Sequence, residues 1–250
     1  MSVSAANRSR EMRQPLDFRS VNFLEGYLAI VDKPLGWTSS DVVRKLKYAL
    51  RKAGFPRIKV GHAGTLDPLA TGVLIVCIGK ATKMVDALQA EEKVYEATLM
   101  LGATTPSYDL EHPIDKTYPT EHITREAVET ALASLCGERM QTPPLFSAKK
   151  VEGVRAYDIA RAGEQVELRQ ALINIYGIEL LEYSMPEIRI RVRCSKGTYI
   201  RALAREIGEA LQSGAHLTAL RRTRSGGFTV ELAHTVDYFM EKLEEAETKR

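Results

Sequence analysis

The sequence predicts a mixed α+β fold, on three observations. Short apolar runs rich in β-branched residues recur along the chain, at Tyr27–Val31, Val73–Ile78 and Val94–Leu101. The segment Glu187–Cys194 alternates strictly between apolar and charged residues, the period of a half-buried strand. Among these runs lie stretches whose apolar residues return every three or four positions, the period of a helix with one buried face.

Taken in order, residues 1–20 are polar and carry Arg8, Arg10, Arg13 and Arg19, which reads as a flexible arm. Residues 21–250 are expected to form a single domain. Tyr27–Val31 starts it as a strand. Lys33-Pro34-Leu35-Gly36-Trp37-Thr38 is a turn, and Ser39 or Ser40 suits the cap of a helix running to about Ala53. That helix bears Arg44, Lys45, Lys47, Arg51 and Lys52 against one early acid, a surface fit either for solvent or for phosphate. Strands at Ile58–Val60 and Val73–Ile78 enclose a twelve-residue loop. A short helix holding Met84, Val85 and Leu88 follows, then the strand Val94–Leu101. Pro106, Pro113 and Pro119 mark residues 102–120 as a loop, and Thr124 caps a helix that Gly137 ends. Pro143-Pro144-Leu145-Phe146 leads to a short helix near 156–162. Leu172–Tyr183 and Glu187–Cys194 then read as two strands joined near Met185-Pro186. The second presents Arg189, Arg191 and Arg193 on one face, an arrangement that calls for something anionic across it or serves as an edge that discourages aggregation. A helix follows, with Ile200, Leu203, Ala204, Ile207 and Leu211 on one side and Thr198 as its expected cap. The chain closes on a charged helix beyond Glu231.

Composition excludes several classes of function. Of the 250 residues, 44% are hydrophobic and 27% charged, as in an ordinary globular protein. No apolar run reaches bilayer length, and the N-terminus lacks the apolar core of a secretory signal. Cys77, Cys136 and Cys194 are too few and too scattered for a disulfide framework or a zinc site, which points to a reducing cytoplasm. The five histidines have no metal-ligand spacing, and neither a nucleophile elbow nor a dinucleotide fingerprint occurs. The chemistry is therefore expected to use no metal and no cofactor. A net charge of +3 permits a nucleic-acid partner without requiring one.

The loop Gly61-His62-Ala63-Gly64-Thr65-Leu66-Asp67-Pro68-Leu69-Ala70-Thr71-Gly72 is the densest candidate site. Its glycines allow close backbone approach. Asp67 is the only acid between Asp41 and Asp86. Asp before Pro is also a common turn starter or helix cap, so residue types alone leave both readings open. Arg201 falls in the first turn of its helix, where a cation opposes the helix dipole. A neighbouring anion would resolve that misfit.

The whole loop resembles the signature of the TruB-type tRNA pseudouridine synthases, Gly-His-x-Gly-x-Leu-Asp-Pro-Leu-Ala-Thr-Gly, at every fixed position. Lys33-Pro34…Gly36…Thr38-Ser39, Lys93-Val94-Tyr95, the segment from Pro143 to Lys150, Lys196-Gly197-Thr198-Tyr199-Ile200-Arg201 and Gly214-Ala215-His216…Leu220-Arg221-Arg222 resemble further motifs of that family. The resemblance spans roughly residues 26–238. It implies the pseudouridine-synthase fold: a largely antiparallel central sheet flanked by helices, with an RNA-binding insertion. It implies Asp67 as the essential carboxylate, Tyr95 as the platform on which the target uracil stacks, and Arg201 as the partner of Asp67. His62 would enter the space left by the flipped base, Tyr199 would line the site, and Leu220 would pack near the aspartate. Lys83, Arg221 and Arg222 would meet RNA.

The implied reaction is conversion of uridine to pseudouridine at position 55, in the T-loop of tRNA. A carboxylate can act on it by attack on the ring, by attack on the ribose or by proton abstraction, and the residues leave those routes open. The implied partner is the tRNA T-arm, approached by a monomer with no guide RNA. Many relatives carry a C-terminal PUA domain, and the twelve residues after Tyr238 are too few for one. Two rival readings are a guide-dependent synthase of H/ACA particles, which shares the aspartate loop, and a tRNA-binding folding helper.

Overall fold

A computed structural model describes residues 18–144, 150–151, 154–155 and 168–247. The expected arm up to residue 17, most of the Pro143–Lys150 segment and the helix near 156–162 lie outside the described residues. The elements run in this order: β1 (Tyr27–Lys33), α1 (Ser39–Lys52), β2 (Val60–His62), β3 (Ala70–Ile78), a 3-10 turn (Gly79–Met84), α2 (Val85–Ala90), β4 (Lys93–Leu101), β5 (Ala103–Thr104), β6 (Lys116–Thr117), α3 (Arg125–Ser134), β7 (Gly137–Gln141), β8 (Lys150–Val151), β9 (Val154–Arg155), β10 (Ala171–Ser184), β11 (Glu187–Cys194), α4 (Ile200–Ala210), β12 (Ala215–Ser225), β13 (Phe228–Thr229), a second 3-10 turn (Val230–Leu232) and α5 (Val236–Glu247). The fold is α+β, as its mixed periods predict, with the mostly antiparallel central sheet that the family resemblance implies. Among the described residues no helix is long and apolar enough to cross a membrane.

The chain divides into two compact units. One takes the residues up to Lys93 and those from Arg221 onward, and the other is Val94–Leu220. In the first, β1 pairs antiparallel with β3, from Tyr27 opposite Ile78 to Lys33 opposite Gly72. β2 pairs with the same strand, and β3 is followed in the sheet by β12, which carries β13. Eight of the nine residues of β3 are buried, so it is covered on both faces and reads as a continuous apolar run. Phe18, Phe23, Tyr27, Phe55 and Phe239 meet ring to ring, largely edge to face. In the second unit the sheet order is β12–β4–β11–β10–β7. Ile188, Ile190 and Val192 are fully buried, while Arg189 and Arg193 face outward.

Several sequence expectations change. α1 is capped by Thr38, through a reciprocal box with Asp41, rather than by Ser39 or Ser40. Ser39 is freed to turn inward. α4 begins after Tyr199, because the Thr198 hydroxyl donates to Ser195 O at 3.0 Å instead of capping the helix. β7 and β12 are strands that charge and glycine content conceal. The arginine face of β11 has its anions within the sheet. Glu96 of β4 bonds Arg189 at 2.6 Å and Arg191 at 3.0 Å, and Glu179 of β10 takes the other end of Arg191 at 2.8 Å. These arginines hold the Glu96 carboxyl below its ordinary range, so for Arg189 and Arg191 a bound polyanion is not needed to explain the pattern.

Candidate active site

The Asp67 loop is shorter than its sequence suggests. β2 extends to His62 and β3 starts at Ala70, which leaves seven residues between strands. Asp67 does not start a helix. Its carbonyl accepts from Ala70 N at 3.0 Å, closing a turn with Pro68 at the second position, the place where the fixed φ of proline fits. Asp67 is half-buried and Pro68 exposed.

Three buried polar side chains hold this loop from beneath. Arg222 is 1% exposed. Its Nε donates to Val73 O at 2.8 Å, one terminal nitrogen to Gly64 O at 3.0 Å and the other to Thr65 O at 3.4 Å. A guanidinium spreads its donors in a fixed fork, so three carbonyls on both sides of the loop are set by one rigid group. Lys33 is fully buried and donates through Nζ to Pro34 O, to Trp37 O at 2.5 Å and to Pro68 O at 3.4 Å. Burial pushes its pKa down to about 8. The Asp67 charge works against that shift and the Arg222 charge adds to it. The Ser39 hydroxyl accepts from Leu66 N at 2.9 Å and donates to Leu66 O at 3.2 Å. Gly36 N donates to Pro68 O at 2.9 Å. Every carbonyl flanking Asp67 is therefore spoken for, and the carboxylate is aimed by its neighbours' backbone.

His62 lies at the end of β2 with Nδ1 buried and lacking a hydrogen-bond partner. Burial first, and then the Arg222 charge, lower its pKa below the usual imidazole value. The Gly64 backbone pulls the other way. The ring is therefore neutral at pH 7. Arg221 forms a two-pronged pair with Asp32, at 2.7 and 3.1 Å, and reaches the Thr71 hydroxyl at 3.3 Å. Lys83 is exposed on the 3-10 turn after β3. The expectation that Arg221 and Arg222 jointly serve RNA thus separates by residue. Arg222 is sealed beneath the loop, out of reach of phosphate, whereas Arg221 is partly exposed and already paired.

In the second unit, Tyr95 lies on β4 and is 8% exposed. Arg201, in the first turn of α4, is 4% exposed. Within its unit Arg201 faces an anion, as its place in the helix requires: Asp109 Oδ2 is 3.7 Å from Nε, and Ser107 O accepts at 3.2 Å. Asp109 is itself buried and accepts from Glu111 N. The turn that presents it places Tyr108 at φ 60°, and Arg205 lies over the Tyr108 ring. Gln141, 1% exposed on β7, clips both backbone atoms of Tyr199: its Oε1 accepts from Tyr199 N at 2.9 Å and its Nε2 donates to Tyr199 O at 3.3 Å. Behind it Glu206 is buried beside Arg139 at 3.3 Å and Arg205 at 3.6 Å, with burial raising its pKa. Leu220 is half-buried on β12.

Lys33, Ser39, Asp109 and Gln141 are site-supporting residues that sequence reasoning left unassigned. Lys33 and Ser39 lie in a stretch whose proline and glycine signal only a turn and a helix start. Gln141 carried no signal, because its partner is 58 residues away.

Residues 51–200 match the model of the TruB family pseudouridylate synthase N-terminal domain, and residues 201–250 match that of the tRNA pseudouridylate synthase B C-terminal domain. The chain is 61% identical over 228 residues to the tRNA pseudouridine synthase B of Phocaeicola vulgatus, covering 91% of this chain and 97% of that one. It is 63% identical over 212 residues to the protein of the same name from Bacteroides fragilis, covering 84% and 91%. Among solved structures it is similar to a chain in the crystal structure of a Cbf5–Nop10–Gar1 complex, with 31% identity and a TM-score of 0.67, covering 94% of this chain and spanning 64% of that one. With its aspartate loop intact and the two family models matching residues 51–250 between them, this chain belongs to the TruB family of pseudouridylate synthases.

Proposed function

We infer that this chain isomerises uridine to pseudouridine in tRNA, at the T-loop position its relatives' name implies. The observation that carries the reading is the Asp67 turn: an acid on a loop whose carbonyls are fixed by Arg222, Lys33 and Ser39. Preorganisation of that kind serves a group that must act in one direction. In the reaction the bond from uracil N1 to ribose C1′ breaks and a bond from C5 to C1′ forms. C5 loses its proton and N1 gains one, so no oxidant and no second substrate is consumed. Asp67 supplies the carboxylate. Tyr95 serves as stacking platform, Arg201 as catalytic-site cation and Tyr199 as site lining, by the family motifs they occupy.

A base inside a folded loop must be extruded, which costs a few kcal/mol, and aromatic stacking returns about 1–3 kcal/mol. A neutral His62 suits entry into the vacated stack, since no charge must be desolvated. Lys83 and Arg221 supply charge to the RNA backbone. The enzyme is expected to act in the cytoplasm, as a monomer and without guide RNA. The greater identity to the tRNA enzymes than to the Cbf5-containing structure supports the guide-free form.

The test uses an unmodified tRNA transcript tritiated at uridine C5. Tritium release by the wild type, and none by Asp67→Asn, is expected. Release that requires an added guide RNA, or none from the wild type, would overturn the reading.

A further inference from the structure

An open groove lies at the N-terminal end of α1, lined by Gly36, Trp37, Asp41, Arg44, Lys45 and Tyr48. We propose that this groove is a second RNA subsite, which holds unpaired nucleotides neighbouring the target uridine. Trp37 and Tyr48 receive bases, and Arg44 and Lys45 receive phosphate. The proposal rests on the tRNA-modifying reading above.

Four observations meet there. The first is aromatic exposure: Tyr48, in the lining of the groove, is 55% exposed. An exposed tyrosine between basic side chains offers an open ring face on which a base can stack. The second is charge. The helix carries Arg44, Lys45, Lys47, Arg51 and Lys52 against Asp41 alone, which complements a polyanion. Asp41 is committed to the Thr38 cap and to Arg44, so it orients that guanidinium rather than repelling a phosphate. Lys52 lies over the Tyr48 ring at 5.0 Å, continuing the charged and aromatic stripe along the helix.

The third observation is connection to the chemistry. Gly36 N donates to Pro68 O, and Lys33 Nζ bridges Trp37 O and Pro68 O, so the wall of the groove and the Asp67 turn are joined by hydrogen bonds. A strand whose target base is at Asp67 can lay its next nucleotides along this wall. The fourth is room. Gly36 has φ +80° and a Cβ placed there would meet nothing within 4 Å, so the space above the turn is open.

Trp37 is the only tryptophan of the chain, and its emission reports on this groove alone. The full-length Asp67→Asn protein is titrated with an unmodified T-arm hairpin, a blunt duplex of the same composition, and heparin. The expected result is saturable quenching of Trp37 by the hairpin, with the duplex and heparin leaving emission unchanged. Hairpin binding on a filter with no change in emission would overturn the proposal, as would equal quenching by heparin, which has charge but no bases. In the tritium assay, Trp37→Ala and Tyr48→Ala, each checked for native circular dichroism, are expected to raise KM about tenfold and leave kcat unchanged. A fall in kcat at constant KM would assign these side chains to loop support instead. Should the wild type quench with the hairpin yet release no tritium, the isomerase reading fails and the subsite stands.

Discussion

Replacing Arg222 by methionine separates two roles for that arginine. Met keeps an unbranched apolar stem in the same space, so the loss is confined to the guanidinium. Val73 O and Gly64 O then lose a buried donor, and Thr65 O, on an exposed residue, loses a longer one. Each stranded buried carbonyl costs about 1–3 kcal/mol. The two buried ones share one side chain and will not add fully, so the whole comes to about 2–4 kcal/mol. Against the 5–15 kcal/mol typical of a folded domain, the variant remains folded with a loosened loop. Urea denaturation measures the first effect. Single-turnover tritium release at saturating protein measures the second, expected to fall about a hundredfold, the penalty for misplacing a reacting group by about an ångström. Filter binding of tRNA should change less than threefold, because the side chain is not at the surface. A variant that binds tRNA far more weakly but turns over at the normal single-turnover rate would refute this reasoning and return Arg222 to the role of a phosphate contact.

Three other perturbations follow from the same geometry. Gly72→Ala places a Cβ 2.2 Å from Arg222 O at φ +101°, against the Arg222 backbone, and should cost about 3 kcal/mol or more by urea denaturation. Gln141→Leu removes both clips on Tyr199 and should lower kcat more than tenfold with KM little changed, whereas a pure KM effect would show that Tyr199 needs no positioning. Lys33 has a folded pKa of about 8 against an ordinary 10.5, so between those pH values the unfolded chain holds a proton that the folded chain lacks. The unfolding free energy of the wild type, relative to Lys33→Met, should therefore rise as pH climbs through that window. A flat or falling difference would place the lysine in a wetter setting.

Local patterns carried the sequence reading wherever a single element settles the matter. The alternation of Ile188, Ile190 and Val192 placed those residues in the core, and the charges between them on the outer face. Thr124 caps α3 as its position before Arg125–Ser134 suggests. What stayed hidden depends on pairing across the chain. Nothing near Arg189 or Arg191 announces Glu96, which lies 93 and 95 residues away and reaches them only through sheet register. The same holds for Lys33, whose acceptor Pro68 O is 35 residues on, and for Arg222, whose carbonyls lie about 150 residues earlier. A motif match named the aspartate, but neither composition nor periodicity could say that a buried arginine beneath it fixes its aim. The choice at Asp67 between helix cap and turn was likewise decided by strand length: β3 begins at Ala70 and leaves no room for a helix.

The unit that carries Asp67 is discontinuous in sequence, and this has a consequence for its birth on the ribosome. Synthesis is vectorial, and domains tend to fold as their residues emerge. Val94–Leu220 is one uninterrupted stretch and can complete its sheet as it appears. The aspartate loop is made early, but the arginine that clamps it is residue 222. The ring cluster of Phe18, Phe23 and Tyr27 must wait for Phe239. Asp32 N and Ile30 O likewise await the backbone of His234. A nascent chain therefore exposes the Asp67 carboxylate, without the side chain that clamps its loop, until Arg222 emerges. The loop acquires its geometry only after the whole of Val94–Leu220 has been made.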